Sequence, residues 1–190
     1  MASAIMITNR DWRVQLGVLA LQYFAAFWLV TLHLPLAIGS AKLVTGWMVV
    51  ATLGMTRLSL STNMEENETL GPRGQRFPLI LISIVALVTA GATPRIEAVI
   101  PGLGLQVIAG GLLLIGVSLI QLGLSADIFR VILGLLSMLI GFEIIYAAVE
   151  NSILVAGLLA VTNLGLGLVG SYLLIADSPS NPNAEEGQVI

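Results

Sequence analysis

Six apolar runs, each close to the length of a bilayer-spanning helix, leave this chain few ways to fold. A helix crossing the hydrocarbon core needs about 20 apolar residues, with a range of roughly 17–25. The runs are Val14–Leu34, Ala37–Leu60, Pro78–Ala92, Gly102–Leu124, Phe129–Val149 and Ser152–Ile175. The third is the shortest, entered at Pro78 and expected to stop before Pro94. A single globular core cannot hide this much apolar surface. The 190 residues are 57% hydrophobic and only 10% charged, with a mean hydropathy of +0.98, whereas soluble domains carry about 25% charged residues. The sequence predicts an all-α fold, a polytopic membrane helix bundle of six transmembrane helices.

The polar segments divide the chain. Residues 1–62 hold the first two helices, and 63–76, within "STNMEENETLGPRGQRF", form a charged, Gly/Pro-punctuated loop. Residues 77–101 hold helix three and the connection after it, and 102–176 form a three-helix C-terminal unit. The acidic tail, 177–190, is aperiodic and rich in Pro, Asn and Ser, a composition expected to stay disordered. The N-terminus has no cleavable leader pattern, so the first run is read as a retained helix.

Basic residues set the expected orientation. Arg10, Arg13, Arg57, Arg73, Arg76 and Arg130 fall on one side of a six-span layout, against Lys42 and Arg95 on the other. The positive-inside rule then places both termini and the 63–76 loop in the cytoplasm. Lys42, near the outer end of helix two, is expected to snorkel toward the headgroups.

Several functions are excluded early. With no cysteine, the chain has no disulfide, thiol chemistry or cysteine-held cluster. The lone histidine, His33, has no second imidazole to share a metal. There is no phosphate loop, no nucleophile–histidine pair and no basic face for nucleic acid. "GLGLQVIAGG" opens an apolar helix with no strand before it and is not a dinucleotide turn. No cofactor, no metal and no nucleic acid is expected; the expected partners are membrane lipid and other membrane subunits.

Chemistry is left to the few polar groups inside the apolar runs. Glu143 lies in the fifth, "GLLSMLIGFEIIYAAVENSILVAG". A charge at that depth costs about 2.5–3.5 kcal/mol on insertion scales, and such residues mark ion paths or buried pairs. A carboxyl in an apolar setting is a reversible proton carrier near neutral pH. Tyr146 and Glu150 follow on the same helical face, Glu150 beginning the short "ENS" connection. Helix six carries Ala156, Ala160, Asn163, Gly167 and Gly170 at alternating spacings of four and three. That is a small-residue stripe for close helix packing, with one amide at its centre. Glu143, Tyr146, Glu150 and Asn163 are the candidate proton-relay residues; Ala156, Ala160, Gly167 and Gly170 are the candidate packing residues.

These residues carry a resemblance. "MLIGFEI", within "LLSMLIGFEIIYAAVENSILVAG", is similar to the second helix of the three-helix NuoK subunit of complex I and its MrpC relatives in multisubunit cation/proton antiporters. "IAGGLLLIGVSLIQLGL" and "VTNLGLGLVGSYLL" are similar to that family's first and third helices, so the likeness covers about residues 102–176. Three further N-terminal helices give a layout resembling HyfE-type subunits of formate-hydrogenlyase-like complexes. The resemblance implies a subunit packed against antiporter-like subunits in a prokaryotic plasma membrane, with Glu143 on the family's buried glutamate. The family's second glutamate falls on Asn163, so a complete two-carboxylate relay within this chain is not implied. Two other readings stand beside it: a structural scaffold subunit of another membrane complex, and a self-contained small proton-coupled transporter.

Overall fold

The computed structural model describes residues 11–31, 36–60, 76–149 and 152–178. These form six helices and, among the described residues, no strand. We number them α1 (Trp12–Val30), α2 (Leu36–Leu60), α3 (Arg76–Val99), α4 (Leu105–Leu124), α5 (Ile128–Val149) and α6 (Ile153–Asp177). All six are long and apolar enough to cross a membrane, as an integral membrane protein requires. The 63–76 loop (but for Arg76), the 177–190 tail beyond Ser178, His33 and Glu150 lie outside the described residues.

Two of the boundaries that differ from the sequence reading have a clear local reason. The third helix does not stop at Pro94 but runs through it to Val99. Thr93 Oγ1 donates to the Thr89 carbonyl at 2.7 Å, one turn back. That bond braces the turn before the proline; the carbonyl that Pro94 deprives of an N–H is that of Ala90, a loss that apolar membrane helices tolerate. The fourth helix begins at Leu105 instead of Gly102, because Gly102 and Gly104 hold φ of 98° and 80°. Those left-handed conformations make the turn from α3 and suit residues without Cβ.

Four helices close into a ring, each packed on the next: α1 on α2, α2 on α6, α6 on α5, and α5 back on α1. α4 packs against the outside of α5, and α3 against α4. Pairwise contacts fix the directions. A Cβ at Gly39 would meet Phe27, one at Gly46 would meet Tyr23, and one at Gly54 would meet Leu16, so α1 and α2 are antiparallel. The same reasoning sets α4 against α5: Gly111 faces Ile145, and Gly134 faces Leu122. Odd-numbered helices therefore begin at one end of the bundle, here called proximal, and even-numbered helices begin at the distal end.

The ring is held by a continuous apolar core including Leu19, Leu53, Leu133, Leu136, Ile140 and Ile144. Where α4 crosses α5 the backbones nearly touch. A Cβ on Gly141 would lie 2.9 Å from the Gly111 carbonyl oxygen, and one on Gly111 would lie 3.0 Å from that of Gly141. Such glycine-to-glycine crossings supply the dispersion contact that holds helices together where no hydrophobic force between them exists.

Candidate functional site

Each helix of the ring sends one polar side chain to a common point in the interior. α5 supplies Glu143, α6 supplies Asn163, α1 supplies Tyr23 and α2 supplies Lys42. Tyr23 Oη donates to Asn163 Oδ1 at 2.9 Å. Asn163 Nδ2 donates to Glu143 Oε1 at 3.2 Å. Lys42 Nζ lies 3.7 Å from Glu143 Oε2. The donors all point one way, toward the carboxylate, and the two oxygens of Glu143 are divided between an amide and an ammonium group.

Burial makes this arrangement consequential. The Lys42 and Glu143 side chains are 10% and 6% exposed, Tyr23 is 4% exposed and Asn163 is 2% exposed. An isolated charge in such a place is strongly unfavourable, but a paired and hydrogen-bonded one is tolerated. The separation of 3.7 Å is longer than the roughly 2.7–2.9 Å of a tight charge-assisted hydrogen bond. The ion pair is close enough to cancel charge without locking the two groups together.

The ring geometry explains why these four meet. Gly46 gives the Tyr23 ring its place, since a Cβ there would collide with the ring carbons. Gly167 lets α6 approach Val49 of α2, where a Cβ would stand 2.9 Å from a valine methyl. Gly170 does the same against Ile132 of α5, at 2.7 Å. The expected small-residue stripe thus packs against α2 and α5 of the same chain around Asn163. Ala156 and Ala160 continue it distally and are partly buried.

Lys42 requires a correction. It does not snorkel to an interface; its ammonium turns inward to Glu143. A lysine on a lone helix seeks the headgroups, but here a carboxylate within reach inside the bundle offers a nearer partner. Tyr146, on the same face as Glu143 in projection, stacks on Phe142 with ring centroids 6.0 Å apart. The bonds of Glu143 run instead to Asn163 and Lys42. Tyr23 and Lys42 were not among the sequence candidates. Tyr23 carried no sequence signal, and Lys42 was visible as an intramembrane cation without a partner.

A second polar contact lies toward the proximal end of the ring. Ser137 Oγ of α5 donates to Gln22 Oε1 of α1 at 2.7 Å, both residues being buried. Gln15, one heptad before Gln22 on α1, is buried as well, as is Ser171 on α6, whose hydroxyl donates to the Gly167 carbonyl at 2.9 Å.

No protein-family profile, curated protein or solved structure matches the chain. What the protein does has to be argued from the centre itself.

Proposed function

We propose that this protein is a membrane subunit of a proton- or cation-translocating assembly of the complex I and multisubunit antiporter type, with Glu143 as its proton-handling group. The observation that carries the reading is the buried Lys42–Glu143 pair, held by Asn163 and Tyr23 on four different helices. A membrane protein that needed only packing at this level would be served by apolar side chains, since replacing a buried ion pair by them is commonly neutral or stabilising. In the proposed cycle a proton joins Glu143, its attraction for Lys42 is lost, and the lysine is free to turn toward a neighbouring acceptor. Loss of the proton restores the pair. Asn163, standing where the resembling family has its second acid, holds Glu143 in place and does not itself carry a proton. Both termini are assigned to the cytoplasmic side of a prokaryotic plasma membrane.

The test is Glu143→Gln in the native membrane. It keeps the size and the hydrogen bond from Asn163 but cannot ionise. Assembly should persist while ion translocation falls. Full translocation by this variant would leave Glu143 a packing residue in a scaffold subunit.

One observation favours a second reading. The ion pair is completed within a single chain, so a self-contained proton-coupled transporter would need no partner residue at this point. Co-purification at endogenous expression separates the two readings: the subunit reading expects larger membrane proteins at fixed stoichiometry, the transporter reading none.

A further inference from the structure

The four-helix ring is covered unevenly from outside. α4 lies over α5 and α3 over α4, whereas α2, across the ring from α5, packs on α1 and α6 and turns a bare face outward. Val44, Trp47, Met48, Ala51, Met55 and Leu58 recur along that face at helical spacing, and all are exposed. The tryptophan is at an unusual depth. Trp12 opens α1 and Trp28 lies two residues before its end, where indoles sit at the headgroup level of a bilayer. Trp47 falls eleven residues after Leu36 and thirteen before Leu60, at the middle of α2. It is 53% exposed and adjoins Gly46, whose crossing with Tyr23 lies at mid-height of both helices.

Among the described residues the Trp47 indole N–H meets no acceptor. Lipid tails offer none either, and a donor left bare in hydrocarbon is costly. Beside it stand Met48 and Met55, flexible side chains that mould to an irregular partner, and Ala51, which leaves a hollow one turn away. Tryptophan and methionine are enriched at protein interfaces, and tryptophan is prominent among the residues that carry binding energy. We propose that the outer face of α2 docks a transmembrane helix of a larger neighbouring subunit. That helix presents a hydrogen-bond acceptor to Trp47 at mid-membrane: a hydroxyl, an amide or a freed backbone carbonyl. A second copy of this chain does not meet the need. A two-fold dimer through this face brings Trp47 against Trp47, and an indole is a donor only. The docking face rests on the subunit reading given above and deepens it. It sets the partner against the helix that carries Lys42, on the side of the ring away from α3 and α4.

Photo-crosslinking in the intact membrane tests this. The photoreactive residue p-benzoylphenylalanine replaces Val44, Met48 or Met55 on the face, in the full chain expressed at its native level. Ile80 and Leu87, exposed on α3, are the control positions. The three face positions should give adducts with one and the same larger protein, mapped by mass spectrometry to a transmembrane helix. Ile80 and Leu87 should give none with that protein. Trp47→Phe keeps an aromatic ring and loses the N–H, so the adduct yield should fall roughly threefold, the worth of one interhelical hydrogen bond. Trp47→Ala should lower it further. Because the ring is exposed, the melting temperature of the purified chain should not change with Trp47→Phe, which separates lost docking from lost folding. Adducts with lipid alone, with a second copy of this chain, or equally from the α3 positions overturn the proposal, as does an undiminished yield in Trp47→Phe. If the photoreactive residue prevents assembly at one position, the other two carry the same comparison. A translocation-dead Glu143→Gln without the adducts condemns the docking face only; normal translocation by Glu143→Gln with the adducts present condemns the proton role and leaves the face standing.

Discussion

Lys42 and Glu143 sit 3.7 Å apart among apolar side chains, and each is what makes the other tolerable there. Removing either charge should therefore cost more than removing both. Lys42→Met leaves a buried carboxylate without its cation, a loss of about 3–5 kcal/mol in comparable buried pairs. Lys42→Met combined with Glu143→Gln should recover most of that. Thermal unfolding of the purified variants in detergent checks it, and a double variant less stable than Lys42→Met would contradict the pairing. Tyr23→Phe removes only the donor to Asn163, and interhelical hydrogen bonds in membrane proteins average about 0.6 kcal/mol. It should lower stability slightly, with Asn163→Leu considerably worse, because that change strands Glu143 Oε1 and the Tyr23 hydroxyl together. At this scale the sequence was half legible. Glu143 and Asn163 stood out as polar groups deep in apolar runs. Tyr23 and Lys42 could not be joined to them, because a single sequence does not say which four of six helices become neighbours.

Helices in this bundle meet through glycines, and not all glycines are equal. Gly141 and Gly111 face each other's carbonyl oxygens across the α4–α5 crossing, whereas an added Cβ at Gly165 on α6 meets nothing within 4 Å. Gly141→Ala should thus push the helices apart and destabilise the fold, while Gly165→Ala should be neutral or gain up to about 1 kcal/mol from helix propensity. Melting temperatures of the two variants, measured side by side, decide this; an equal loss would mean that α6 is covered at Gly165 by something beyond the chain. The helices themselves were the most legible part, since length and apolarity fix them. What misled was punctuation. Pro94 reads as a stop, yet the helix runs through it to Val99, as proline is tolerated within apolar membrane helices. Gly102 reads as a helix start, yet its positive φ belongs to the turn.

For the whole molecule, orientation rests on the distribution of basic residues between the two ends of the bundle. Among the described residues, Arg13, Arg57, Arg76 and Arg130 lie at or near the proximal end, and Arg95 is the basic residue near the distal end. The positive-inside rule counts charges flanking the spans, and the four proximal arginines outweigh Arg95 and Lys42 together. A maleimide that cannot cross membranes should label Pro101→Cys in intact cells and leave Arg13→Cys untouched until the cells are opened. The reverse pattern would invert the orientation.

The ion pair also has a history within each molecule. Lys42 is synthesised about a hundred residues before Glu143, a delay of roughly 5–20 s at 5–20 residues per second. During that interval α2 is in the bilayer with a charge and no counter-ion. Its lysine lies only six residues into the helix, so the flexible stem can hold the ammonium at the headgroup level. When α5 arrives, the lysine leaves the lipid surface for the carboxylate. Snorkelling, wrong for the finished bundle, is the expected posture of the nascent one, and the move inward is a late step of assembly that a Glu143→Ala chain never makes.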